Sequence, residues 1–201
     1  MIPNMETIKK DTAIKILYKK RVKFLTISDA GRVFNTENIN TIYKLLQRLE
    51  KSQVLKRVEK GKYIFSFRET DDFELANFML NPSYISLESA LSFYGILPQF
   101  PYTITSVTPL KTKKIIYENK EFEFIHMNKK YFFSFIKKDN FLIATPEKAL
   151  LDELYLVAKK LRNIHFEDLD LKQIDKRKLR GLVDKYYFLP LHKLIEKLKI
   201  C

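Results

Sequence analysis

The chain contains no Trp, one Cys and four Gly in 201 residues. A lone cysteine, Cys201, excludes any disulfide within the chain and leads us to expect a reducing, cytoplasmic setting. Four glycines leave little material for Gly-rich phosphate loops, and neither a P-loop nor a nucleophile elbow is present. His126, His165 and His192 lie far apart, without cysteine neighbours or metal-ligand spacing. Catalytic residues, metals and cofactors are therefore not assigned. The uncharged run from Ser89 to Leu110 is long enough to cross a bilayer, but Gly95, Pro98, Pro101 and Pro109 interrupt it. It reads as a folded-core segment, so no membrane partner is expected. Met1-Ile-Pro-Asn-Met5 also lacks the basic-then-apolar pattern of a signal peptide.

What the chain has is positive charge, unevenly spread. Residues 1–70 hold 16 Lys/Arg against 7 Asp/Glu, hence +9; the remaining residues hold 21 against 17, hence +4. Such a concentration suits a polyanion, because each neutralised phosphate releases condensed counterions. A Lys-rich solvated surface is the competing reading of charge alone.

The first 70 residues read as three helices and a hairpin. Helix one runs near Thr7–Lys20 with Ala13, Ile14 and Leu17 on one face. Thr26 with Asp29 three residues later marks a helix start, and this short helix ends near Phe34 at the turn Asn35-Thr36. Helix three spans Glu37 to about Lys51. At about 100° per residue, Ile42, Leu45, Leu46 and Leu49 share one side, while Asn40, Thr41, Lys44, Gln47, Arg48 and Lys51 gather opposite. Val54–Val58 and Tyr63–Phe67, around Gly61, form a hairpin carrying Lys56, Arg57, Lys60 and Lys62. Three helices and a hairpin are the plan of a winged helix-turn-helix. Helix three then presents groups able to pair with base edges, and the hairpin cations can reach phosphate. Use of the same fold to bind protein is the alternative.

The polar stretch Arg68–Asp72 marks a boundary, with a separate domain over 71–201. Helices are expected near Phe73–Leu80 and Ser86–Tyr94. Strands are expected over Tyr102–Val107, Lys113–Tyr117, Glu121–His126, Tyr131–Ile136 and Phe141–Ala144, forming an antiparallel sheet. The fold class is α+β. Glu118-Asn119-Lys120 has the carboxylate-x-Lys form of metal-dependent nucleases, yet it falls in a hairpin turn, where charge belongs anyway. Thr145-Pro146-Glu147 starts a helix with an apolar stripe from Leu150 to Leu161. On that helix Glu147, Lys148, Asp152 and Glu153 are expected to face outward, as a solvated face or a partner surface. The basic clusters Lys159–Arg162 and Lys176–Arg180 read as solvated helix ends or as an extended nucleic-acid surface. Short helices near Asp175–Lys185 and Leu189–Lys199 close the chain.

Three blocks of sequence, Pro82–Gly95, Thr105–Lys111 and Ala144–Asp152, resemble the AbiEi family of antitoxins, in order and behind a winged helix. The resemblance covers most of the chain up to about Arg162. It implies an N-terminal domain that represses its own operon by binding inverted repeats in double-stranded operator DNA. It implies a C-terminal domain that counters a nucleotidyltransferase toxin, without requiring a stable complex. The positions that carry it are Ser86, Glu88, Ser89, Ala90, Gly95, Thr145, Pro146, Glu147 and Lys148. The function expected is thus a DNA-binding autoregulator and antitoxin. A solitary regulator with a ligand- or partner-sensing second domain, and a nucleic-acid-processing enzyme, are the alternatives.

Overall fold

The structure is a computed structural model that describes residues 8–200. Thr7, at the expected start of the first helix, Met1–Met5 and Cys201 lie outside the described residues. The chain divides into two compact units, Met1–Asp71 and Asp72–Cys201.

In the first unit, α1 (Lys10–Lys19) buries Ala13 and Leu17. A short strand, β1 (Phe24–Thr26), leads directly into α2 (Ile27–Phe34). Thr26 and Asp29 form a reciprocal capping box: the Thr26 hydroxyl accepts from the Asp29 N–H, and the Asp29 carboxylate accepts from the Thr26 N–H. Two of the helix-start donors that would otherwise lack partners are thereby satisfied. Asn35 closes α2 in the left-handed conformation that Asn tolerates. The Thr36 N–H donates to the Gly31 carbonyl, and a Cβ on Gly31 would lie 2.9 Å from the Thr36 oxygen. Gly31 therefore sets the tightness of the turn into α3 (Ile39–Lys51), which begins at the Asn38 cap rather than at Glu37.

Strands β2 (Leu55–Glu59) and β3 (Lys62–Phe65) make the hairpin, and β1 adds to β3 to give an antiparallel sheet in the order β1-β3-β2. The hairpin was legible from sequence; β1 was not, because three residues are too few to show an alternation. Ile42, Leu45, Leu46 and Leu49 of α3 enter a core with Leu17, Leu25, Phe34 and Phe65.

The second unit begins with α4 (Asp72–Met79), β4 (Tyr84–Ile85) and α5 (Leu87–Phe93). Strands β5 (Ile104–Thr108), β6 (Lys113–Tyr117), β7 (Lys120–His126), β8 (Phe135–Lys138) and β9 (Phe141–Ala144) follow. The expected antiparallel sheet is corrected to a mixed one, ordered β6-β7-β5-β4-β9-β8. Hairpins β6–β7 and β8–β9 are antiparallel, as is β4–β5, but β5–β7 and β4–β9 run parallel. The cause is topological. β6 lies outboard of β7, so β7 returns alongside β5 in the same direction, and the two-residue β4 enters between β5 and β9. All five positions of β5 are buried, as in a strand covered on both faces. Tyr131 belongs to a short 3-10 turn, so the expected strand over Tyr131–Ile136 begins only at Phe135.

The helices α6 (Pro146–Ala158), α7 (Lys176–Val183) and α8 (Leu189–Leu198) complete the unit, α6 packing against α5, α7 and α8. Its start is the one the sequence indicates: the Thr145 hydroxyl accepts from the Lys148 N–H, and Pro146 occupies the first turn.

Thr26→Ala removes the hydroxyl half of the capping box without opening the core. Urea unfolding is expected to show a loss of about 1 kcal/mol; an unchanged midpoint would mean that the box contributes nothing to α2.

Candidate nucleic-acid interface and a buried charged cluster

On α3 the polar side is solvent-facing. Asn40, Lys44, Gln47 and Lys51 fall within about 60° of one another on the helical wheel, with Arg48 beside them, and all five are exposed. Thr41 is only half-buried, and its N–H is held by the Asn38 side chain. Two apolar side chains that sequence reading left out share this side: Ile39 is 48% and Tyr43 50% exposed. Their place on the wheel, next to Asn40 and Lys44, was the available signal.

In the hairpin, Arg57 and Lys60 are exposed while Lys56 and Lys62 are half-buried. Lys56 and Arg57 are consecutive strand residues and so point to opposite faces of the sheet. A ligand lying on one face meets only one of them. Gly61 turns the tip with φ of 74°, and its carbonyl accepts from the Ile27 N–H at 3.2 Å. An added Cβ would lie 2.9 Å from the Ile27 Cδ1, so the tip packs tightly on the start of α2.

The structure corrects the expectation for the four charged residues of α6. Glu147 is 6% exposed, and Lys148, Asp152 and Glu153 are 0% exposed. They are interior residues and offer no outward face to a partner. The reason is packing on every side of α6: all ten positions from Glu147 to Leu156 are buried.

Lys148 and Asp152, one turn apart, form an ion pair in this interior. Asp152 takes up the full acceptor capacity of its carboxylate. Its Oδ2 accepts from the Tyr84 hydroxyl at 2.9 Å and the Ser86 hydroxyl at 2.8 Å. Its Oδ1 accepts from the Lys148 ammonium and, at 3.2 Å, from the Tyr186 hydroxyl. The Lys148 ammonium also donates to Tyr186 Oη at 3.0 Å and lies over the rings of Tyr84, Phe133 and Tyr186. Burial pushes the Lys148 pKa down, and Asp152 pulls it back up. Burial also holds the Tyr84 and Tyr186 hydroxyls above the ordinary tyrosine range, with the Asp152 charge adding to it, so both remain donors.

The corner that delivers Ser86 is itself tied down. Leu87 adopts φ of 57°, an unusual value for a branched residue. Thr105 holds the corner through the Ser86 carbonyl, the Ser89 N–H and the Ser89 hydroxyl. Tight surroundings of this kind keep a strained backbone in place.

Arg162, read from sequence as part of a solvated basic cluster, is half-buried and pairs with Glu88 at 3.0 Å and Glu123 at 3.4 Å. Glu118 and Asn119 form the β6–β7 turn with positive φ, and Lys120 pairs with Asp72. Among the described residues no group of three His, Cys, Asp or Glu could hold a metal ion, and no helix is long and apolar enough to cross a membrane.

Removing one partner of a buried ion pair leaves the other charge uncompensated. Asp152→Ala is accordingly expected to cost about 3–5 kcal/mol in urea unfolding. Lys148→Met combined with Asp152→Ala should lose less than the two single changes added together, by at least about 1 kcal/mol. Strict additivity would show that the two side chains do not interact. Compared with family models and with curated proteins, the chain finds no match.

Proposed function

We propose that this chain is a DNA-binding transcriptional autoregulator whose first unit is a winged helix-turn-helix, with α3 as the recognition helix and the β2–β3 hairpin as the wing. The observation that carries this reading is the side of α3 left outside the core. It combines Asn40, Gln47, Lys44 and Lys51 with Tyr43 and Ile39, in the unit that holds most of the excess positive charge. Asn and Gln can pair with adenine, Lys and Arg with guanine, and an apolar side chain can meet the thymine methyl group. Lys60 and Arg57 suit phosphate contacts that fix register without reading sequence.

Through its resemblance to AbiEi antitoxins, the second unit is assigned the task of countering a nucleotidyltransferase toxin. The positions carrying that resemblance are largely structural in this chain. Ser86, Ser89, Ala90, Glu147 and Lys148 are buried, and Thr145 caps α6. The resemblance is thus a likeness of interior architecture, and the surface that acts on a toxin lies elsewhere than on α6. Reversing the charges of Lys148 and Asp152 would test folding rather than neutralisation.

Binding of the full-length chain to DNA carrying the inverted repeats of its own promoter, followed by fluorescence anisotropy, tests the reading. If about six phosphates are contacted, affinity should fall by about three orders of magnitude between 50 and 200 mM salt. Lys44→Ala should cost about 1–3 kcal/mol on the repeats and much less on random DNA, while Lys60→Ala should weaken both alike. Equal losses on both DNAs for Lys44→Ala would remove α3 as the reader, and a salt-independent affinity would remove the phosphate contacts.

A further inference from the structure

A cavity of about 500 Å³ opens in the second unit between α5, β6, β7 and the end of α6. Its charged lining comes from Glu88 on α5, Lys114 on β6, Glu123 on β7 and Arg162 beyond α6; Ile125, Leu156 and Leu161 supply apolar wall. The size is that of a small-molecule site. Glu153 is fully buried on α6, with Glu88, Glu123, Arg162 and Asp152 as its charged neighbours.

The polar groups here do not satisfy one another. Arg162 Nη2 is engaged with Glu88 Oε1 and Glu123 Oε2, and Lys114 with Glu121 and Glu123. Glu88 Oε2, both carboxylate oxygens of Glu153 and Arg162 Nη1 are buried without a hydrogen-bond partner among the described residues. Native interiors rarely leave such groups unmet. Three unmet positions are acceptors and one is a donor.

We propose that this cavity binds a small aliphatic amine, its ammonium group among Glu88, Glu123 and Glu153 and its methylenes against Ile125, Leu156 and Leu161. An ammonium carries three N–H donors and no acceptor, the complement of three unmet carboxylate oxygens. Three carboxylates against two cations leave a deficit of one positive charge when all are ionised, which a monocation fills. An anion would find a single unmet donor, Arg162 Nη1, and three carboxylates around it. Leu161 is 64% exposed at the mouth, so a chain can enter without opening the core. The site is separate from the α3 surface and from the Lys148–Asp152 pair, and its ligand chemistry does not depend on DNA binding.

Proton release accompanies binding. In the empty site, burial and the neighbouring Glu88 charge push the Glu153 pKa up to about 8, against a smaller lowering by Arg162, so at neutral pH its carboxyl is mostly protonated. An ammonium favours the ionised form, so binding expels that proton, and affinity rises with pH until the empty site is already ionised. For an amine that itself stays charged, the rise between pH 7 and pH 9 is roughly tenfold.

Calorimetric titration of the full-length chain with n-butylamine and 1,5-diaminopentane, in buffers of different ionisation enthalpy, reads both effects. Saturable binding, with proton release at pH 7 that disappears above pH 9, is expected. Glu153→Gln should abolish the release and weaken binding about tenfold or more, the charge being gone while the shape is kept. Leu161→Lys, at an exposed position that does not threaten folding, should also weaken binding several-fold by repelling the amine. Absence of saturable binding to the folded wild-type chain would overturn the proposal. So would affinities unchanged in Leu161→Lys, or inorganic phosphate binding at the same site in place of the amines.

Discussion

The second unit is organised around the carboxylate of Asp152. Four donors from four stretches of chain converge on it: Tyr84 from β4, Ser86 from the corner before α5, Lys148 from the first turn of α6, and Tyr186 from the segment after α7. A charge in a low-dielectric interior is tolerable only when paired and fully hydrogen-bonded. The folded arrangement must therefore bring all four together at once, which couples the middle of the sheet to the C-terminal helices. β4, only two residues long, could hardly hold its place between β5 and β9 by ladder hydrogen bonds alone. Asp152 supplies the missing constraint. The stacking of Tyr131 on Tyr186, with ring centroids 4.0 Å apart, fixes the orientation of the hydroxyl that reaches it.

Much of this architecture was legible in the sequence where local chemistry decides it. The Thr26/Asp29 capping box, the Thr145-Pro146 helix start, the apolar stripe of α3 and the strands Lys113–Tyr117 and Phe141–Ala144 all depend on neighbours in sequence. Long-range features were hidden. Nothing in Tyr84-Ile85 announces a strand, because its role comes from the strands on either side. The parallel pairings follow from where β4 and β6 are inserted, which alternation cannot reveal.

The misplaced charges of α6 have a more specific lesson. A Lys and an Asp four residues apart resemble an exposed helix pair, and most such pairs are exposed. The contrary signal was the composition around them. Between Pro146 and Ala158 only Glu147, Lys148, Asp152 and Glu153 are charged, and the apolar positions are too numerous for a one-sided stripe. A helix apolar on nearly every side is a buried helix, so its charged residues had to find partners inside. In the first unit the reverse holds: the polar residues of α3 occupy a single side, and that side is open.

The two units thus use charge in opposite ways. In the first, Lys and Arg with Asn and Gln stand on an outer helical face and at a hairpin tip, available to a polyanion. In the second, key charges are turned inward, where Asp152 is fully engaged while Glu153 and Arg162 keep unmet hydrogen-bonding capacity beside a cavity. The most direct measurement of this division is competitive lysine acylation of the native full-length chain, mapped by mass spectrometry. If Lys148 is the interior anchor, it should resist modification in the folded protein while Lys44 and Lys60 react, and should become reactive only on unfolding. Modification of Lys148 in the native state as fast as that of Lys60 would contradict it.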